Sequence, residues 1–98
     1  MAKVMFSVAY EIPESARAQY LNLVAQLKPL LNTHGTVYSV YQVENKHNHF
    51  QEVYIYPNEE AYEAAEDVEN PQADALVQQI YALAKDHKVT YSTIIEAV

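Results

Sequence analysis

The order in which hydrophobic periods change along the chain constrains its fold more than any other feature. A stretch with a two-residue period is followed by a helical period, two more two-residue stretches, a second helical region and a final two-residue stretch. Two-residue alternation is typical of strands, and a 3.6-residue period is typical of amphipathic helices. The order βαββαβ predicts an α+β sandwich with two helices on one face of a four-stranded antiparallel sheet. No helix is left for the other face, so we predict that a partner or ligand covers it.

Size and charge restrict the classes of function. The chain has 98 residues, 50% of them hydrophobic, so we expect one domain over residues 1–98. Its net charge is −7 and its six Lys and Arg residues are scattered, which disfavours nucleic acid and anionic membranes as partners. The chain has no cysteine, so disulfides and thiolate chemistry are excluded. The first apolar run is too short for a membrane span and lacks a cleavage site, so we expect a cytoplasmic protein.

The first strand and first helix each have a clear apolar side. We expect the large residues of the strand to face the helices: Val4, Phe6, Val8, Tyr10 and Ile12. The helix that follows carries its apolar stripe on Ala16, Tyr20, Leu23, Val24, Leu27, Leu30 and Leu31. Pro29 predicts a kink or a new helix start, because a proline inside a helix removes a hydrogen bond. Gly35, the only glycine, predicts a left-handed cap at the helix end.

The later elements are predicted from alternation and from helix-breaking residues. Strands are expected over residues 37–44, 50–56 and 89–97, with a polar hairpin at residues 45–49 between the first two. A helix is expected from residue 59 to about residue 69, capped by Asn58 and followed, after a break at Asn70-Pro71, by a second helical piece.

His47 and His49 offer a candidate metal site, together with Glu52. Two histidines and a carboxylate are suitable ligands for a divalent metal. However, Glu52 lies three positions after His49, which places the two side chains on opposite faces of a regular strand. We therefore interpret the histidines as solvated turn residues and predict no metal site.

Nine tyrosines are the most unusual part of the composition. We place Glu52, Tyr54 and Tyr56 on the helix-free face of the third strand, and we expect Tyr41 of the second strand to join them. These four residues are the candidate ligand-binding set, and Glu52 with Tyr54 are the catalytic candidates. A carboxylate enclosed among tyrosines can have a raised pKa and act as an acid or base. Alternatively, the same side chains pack a subunit interface and carry no chemistry.

The segment from His49 to Tyr62, HFQEVYIYPNEEAY, gives the chain a resemblance to a known superfamily. An aromatic-Glu-aromatic strand that leads into an acidic, alanine-rich helix, together with the βαββαβ order and the length, resembles the dimeric α+β barrel proteins, which include the antibiotic-biosynthesis-type monooxygenases. The resemblance implies a ferredoxin-like fold in which two sheets pair across a two-fold axis and close a barrel. It also implies that substrates bind in the barrel or between sheet and helices.

Members of that superfamily include cofactor-independent oxygenases, haem-degrading enzymes, isomerases and small proteins without an assigned role. The haem degraders rely on a Trp, which this chain lacks, so we expect neither haem nor any other cofactor. RNA-recognition domains share the topology, but they have a basic lead-in that is missing here. Amino-acid-sensing modules need a glycine in the turn after the first strand, and copper chaperones need a Cys pair. This chain has neither feature, so both classes are disfavoured.

Two functional hypotheses therefore remain from the sequence. The first is a homodimer that binds a small organic ligand or has a structural role, without chemistry. The second is a cofactor-independent enzyme, similar to an oxygenase or isomerase, that uses Glu52 and a tyrosine inside the barrel.

Overall fold

A computed structural model describes residues 2–65 and 67–98 of the chain. Its elements follow the predicted order, with a strand β1, a helix α1, strands β2 and β3, two further helices and a strand β4. Their bounds are β1 Val4–Glu11, α1 Arg17–Leu31, β2 Val37–Gln42, β3 His49–Tyr56, α2 Glu59–Ala65, α3 Pro71–Leu83 and β4 Thr90–Ile95. Short 3₁₀ turns at Glu14–Ala16 and Lys85–His87 precede α1 and β4.

The four strands form one antiparallel sheet in the order β2-β3-β1-β4. The two central strands, β1 and β3, pair along their whole length, with Val8 opposite Glu52 and Phe6 opposite Tyr54. This order and the helices on one face confirm the predicted α+β, ferredoxin-like fold.

The core lies between this sheet and α1 and α3. From α1 it contains the buried residues Tyr20, Leu23 and Leu27. From α3 it contains Ala73, Leu76 and Ile80. The predicted inward face of β1 is confirmed, since Val4, Val8 and Tyr10 are buried, as is Ile12 just beyond the strand, and Phe6 is partly buried against them.

The predicted orientation of β3 is wrong. Residues that are opposite each other in an antiparallel pair point to the same side of the sheet. Glu52 therefore lies on the helix side with Val8, and Tyr54 and Tyr56 lie there with Phe6 and Val4. The aromatic side of β3 packs inward because it fills the space beneath α1, where Phe50 meets the ring of Tyr20 at 4.5 Å between centroids.

The helix-free face of the sheet, called here the open face, is largely apolar. Val37, Tyr41 and Ile94 are all more than half exposed on it. The half-buried residues Met5, Val53 and Ile55 lie between them.

Several helix boundaries differ from the predictions. The first helix continues through Pro29 and ends at Leu31, so no new helix starts at the proline. Gly35 has the expected left-handed conformation, φ 82°, but it lies in the turn after the helix rather than at the cap. Asn70 caps α3 through a bond from the amide of Ala73, as the predicted break implies.

The predicted helix 59–69 includes residue 66, which lies outside the described residues, and the structure gives its first part as α2. None of the helices in the described part of the chain is long and apolar enough to cross a bilayer.

Candidate functional site

Glu52 occupies the middle of β3 and is completely buried, with 0% of its surface exposed. It is flanked in the sheet by Val8 on β1 and Val40 on β2, and α1 and α3 cover the same side. A carboxyl group is rarely buried in this way unless its oxygens are hydrogen-bonded. The hydrogen-bond partners of Glu52 are therefore the first question about this part of the core.

Tyrosine hydroxyls supply the hydrogen bonds to this carboxyl group. The hydroxyl of Tyr10 donates to Oε2 of Glu52, and that of Tyr54 donates to Oε1 at 3.3 Å. The hydroxyl of Tyr20 lies 2.9 Å from that of Tyr10. These four side chains form one continuous hydrogen-bonded series, Tyr54–Glu52–Tyr10–Tyr20, which we call the Glu52 chain.

Burial raises the pKa of Glu52, and the hydrogen bonds from Tyr10 and Tyr54 offset this only in part. Burial, followed by repulsion from the Glu52 carboxylate, also raises the pKa of Tyr10 and Tyr54. The site thus favours neutral phenols and makes Glu52 a stronger base than an exposed glutamate.

Tyr38 adds a hydroxyl without a hydrogen-bond partner in the described part of the chain. The side chain is fully buried on β2, and its ring lies 4.8 Å from that of Tyr54. Asn32 fixes this strand to the end of α1 through two bonds to the Tyr38 backbone, at 3.0 and 3.1 Å. Buried hydroxyls usually have a partner, so the Tyr38 hydroxyl is an exception in this polar cluster.

A cavity of about 460 Å³ lies next to this cluster, between β3, the end of α1, α2 and α3. Most of its wall is apolar. The lining residues are Leu30, Leu31, Thr33, His34, Thr36, Tyr54, Tyr56, Ala61, Ala64, Ala65, Val68, Asn70, Ala73, Asp74 and Val77.

Alanines form the α2 wall of the cavity, which leaves the space open. Ala61, Ala64 and Ala65 fall on one side of the helix because they are three and four residues apart. No residue of α2 is buried. A larger side chain at these positions would occupy the cavity.

The structure separates the four predicted ligand-binding residues. Tyr54 and Tyr56 line the cavity, and Glu52 lies behind Tyr54 and is joined to it by the 3.3 Å hydrogen bond. The prediction that Tyr41 joins them is wrong, because Tyr41 pairs with Gln51 and so lies on the open face, 60% exposed. The prediction that Glu52 and these tyrosines lie inside a barrel is also wrong, since they face the helices.

Sequence reasoning missed Tyr10, Tyr20 and Tyr38, which complete the polar cluster. A signal for Tyr10 was present, because it lies on the large, inward face of β1. Pairing the large face of β1 with the large face of β3 would have placed Tyr10 on the same side as Glu52. The contribution of Tyr20 depends on the packing of α1 on the sheet, which has no local signal.

The histidines of the hairpin do not approach Glu52. Nε2 of His47 lies 3.0 Å from Oε1 of Glu14, and Nε2 of His49 lies 3.6 Å from Oε1 of Glu11. His49 pairs with Glu11 in the sheet, which confirms that it and Glu52 point to opposite faces. The described residues contain no group of three side chains placed to hold a metal ion.

Solved structures with this architecture are numerous. The chain is similar to SnoaB, a cofactor-independent oxygenase from Streptomyces nogalater, with a TM-score of 0.73 and 15% identity over 94% of this chain and 90% of that one. It is similar to an antibiotic biosynthesis monooxygenase, with a TM-score of 0.69 and 18% identity over 100% and 98% of the two chains. A conserved protein of unknown function from Bacteroides thetaiotaomicron gives a TM-score of 0.77 and 16% identity over 96% and 97%.

These similarities concern the fold, because the identities are low. No family profile and no curated protein matches the sequence. The chain thus has the α+β fold of antibiotic-biosynthesis-monooxygenase-type proteins, as the resemblance implied. Fold alone does not assign an activity, so the function has to be argued from the site.

Proposed function

We propose that this protein binds a small, largely apolar organic molecule in the cavity between its sheet and helices. The volume of about 460 Å³ lies in the range of known ligand pockets, which combine apolar walls with a few polar groups. One observation carries the proposal. Tyr54 lines this cavity while its hydroxyl is bonded to the fully buried Glu52, so an apolar space adjoins a buried polar cluster.

Binding can be tested with 1-naphthylmethanol, an uncharged compound that fits the proposed class. Titration followed by protein NMR should shift the amides of residues that line the cavity, including Tyr54 and Val77. The variant Ala65→Phe should abolish this binding, because the new ring occupies the space beside α2. Ala75→Phe is the matched control, since Ala75 is exposed on α3 and does not line the cavity. Equal binding by both variants would contradict the proposal.

We further propose that the protein is a homodimer in which two open faces meet. Val37, Tyr41 and Ile94 are exposed there beside half-buried apolar neighbours, and an apolar patch of this kind marks an association surface. A small domain also gains stability from association.

Sedimentation at micromolar concentrations tests the dimer. Ile94→Asp should give a monomer, because it places a charge in the interface. Leu21→Asp should remain dimeric, since Leu21 has comparable exposure but lies on the helix layer. A wild-type protein that sediments as an 11.2 kDa monomer would overturn the assembly.

A second candidate function is proton transfer without a cofactor. The Glu52 chain favours it, because Tyr54 touches the cavity and Glu52 is a strengthened base. In this reaction the Tyr54 oxygen accepts a proton from the ligand as it passes its own proton to the Glu52 carboxylate. The oxygenase from Streptomyces nogalater shows that a protein of this fold can act without a cofactor.

Glu52→Gln separates the two functions. The amide retains the size of the side chain and can hydrogen-bond to both hydroxyls, so binding in the cavity should survive. Conversion of any bound compound should stop, because the amide accepts no proton at neutral pH. Turnover that persists in Glu52→Gln would contradict the role of Glu52 in the enzymatic candidate. A wild-type protein that binds compounds but converts none of them would leave only the binding function.

A further inference from the structure

The charge at the mouth of the cavity is negative. Among the described residues that line the cavity, Asp74 is the only one with a permanent charge at neutral pH, and His34 is the only basic side chain. Both are exposed, so they lie where the cavity meets solvent. None of the six Lys and Arg residues of the chain is part of the lining.

The Asp74 carboxylate is free to meet a ligand. It takes part in no ion pair within the described residues, in contrast to Glu11 and Glu14, which face histidine or lysine. The segment that forms the lip next to it is also acidic, because Asp67 and Glu69 flank Val68 and precede Asn70.

The start of α3 lies at the same mouth, and helix N-termini carry a partial positive charge that attracts anions. That attraction is already used within the protein. The amide of Ala73 donates to the Asn70 side chain at 3.1 Å, and the amide of Asp74 donates to the Asn70 carbonyl at 2.9 Å. The carboxylate of Asp74 itself occupies the first turn as the anion.

We infer that the cavity selects cationic amphiphiles, that is, amines with an apolar body, whose ammonium group is held at the mouth by Asp74. This rests on the proposed function and specifies its ligand class. The apolar body lies against the alanines of α2 and against Tyr54 and Tyr56. The net charge of −7 acts in the same direction, because it attracts cations and repels carboxylates over a longer range.

Three compounds with one ring system test the charge preference. 1-Naphthylmethylamine is a cation at pH 7, 1-naphthylmethanol is neutral and 1-naphthylacetate is an anion. We expect the amine to bind up to about fivefold more tightly than the alcohol at low salt, as one exposed ion pair contributes at most about 1 kcal/mol. The anion should bind most weakly, and added salt should reduce both differences.

Asp74→Asn should bring the amine and the alcohol close to equal affinity while the alcohol itself is unaffected. Asp86→Asn is the matched control, because Asp86 lies outside this cavity and its left-handed φ of 57° is tolerated by asparagine. It should leave the ranking of the three compounds unchanged.

The outcomes separate this inference from the proposed function. If the alcohol and the amine bind equally to the wild type and Ala65→Phe abolishes both, the binding function stands and the preference for cations is overturned. Tightest binding by the anion, or a preference that survives Asp74→Asn, also overturns it. If none of the three compounds binds, the proposed function and this inference both fail.

Discussion

Tyr10→Phe removes one oxygen from the centre of the Glu52 chain and should strongly destabilise the protein. That hydroxyl donates to Glu52 and contacts the hydroxyl of Tyr20 at 2.9 Å, so the substitution breaks two buried hydrogen bonds. The aromatic ring remains, and with it the ring contacts to Tyr20 at 5.7 Å and to Tyr81 at 6.3 Å. The predicted loss therefore comes from polar interactions rather than from packing.

The size of the loss follows from the two bonds. A hydrogen bond to a charged group contributes about 1.5–3 kcal/mol and one between neutral groups about 0.5–1.5 kcal/mol. With Glu52 ionised, their sum predicts a decrease of about 2–4.5 kcal/mol in the free energy of unfolding. For a domain that is stable by about 5–15 kcal/mol, this is a large fraction of the total.

Urea unfolding at fixed protein concentration measures this decrease. Tyr41→Phe is the control, because it removes the same oxygen from a residue that is 60% exposed on the open face. It should change stability by less than about 0.5 kcal/mol. Repeating Tyr10→Phe in the Glu52→Gln background isolates the charged bond, and the loss should become smaller there because the acceptor is neutral.

Two results would refute the reasoning. A loss below about 1 kcal/mol in the wild-type background would mean that the Tyr10 hydroxyl does not support a buried carboxylate. The same loss with and without the Glu52 carboxylate would mean that the charge is not coupled to Tyr10.

Three further predictions concern the pH dependence of stability, the packing of Phe6 and the hairpin histidines. Because burial raises the pKa of Glu52, its contribution to stability is present below the unfolded pKa near 4.5 and is lost as pH rises through the folded pKa. The wild type should therefore lose stability relative to Glu52→Gln above about pH 4.5. A difference in urea midpoints that does not change with pH would contradict this. Phe6→Ala should lower the free energy of unfolding by about 2–4 kcal/mol, since Phe6 is partly buried and its ring centroid lies 5.6 Å from that of Tyr54. A decrease under about 1 kcal/mol would mean that Phe6 does not pack in the core. Elemental analysis should find no stoichiometric zinc, and zinc that is lost on His47→Ala would disprove the separation of the hairpin histidines from Glu52.

Much of the fold could be predicted because its signals are local. The alternation in β1 identified its buried face, and Asn58 and Asn70 marked helix starts through caps that the structure contains. The end of α1 could not be predicted from Pro29 alone. The helix end is held by the two hydrogen bonds of Asn32 to the backbone of Tyr38, which is a contact with β2 that the local sequence does not signal.

The candidate site was predicted only in part. Alternation correctly grouped Glu52 with Tyr54 and Tyr56, and correctly separated His49 from them. It could not decide which side of β3 faces the helices, because both sides carry large apolar residues and periodicity is blind to direction. The predicted site was therefore placed on the open face, whereas the structure has it on the helix side.

The sequence by itself thus determined the order of elements and the grouping of residues by face, because both depend on neighbours along the chain. Its composition alone excluded cysteine chemistry. The tertiary structure alone decided that the aromatic side of β3 packs beneath α1, that Tyr10 and Tyr20 join Glu52, and that a cavity remains beside α2. These outcomes depend on strand register and helix packing between distant residues. The pairing of Val8 with Glu52 across the sheet is the contact that brings the Glu52 chain together.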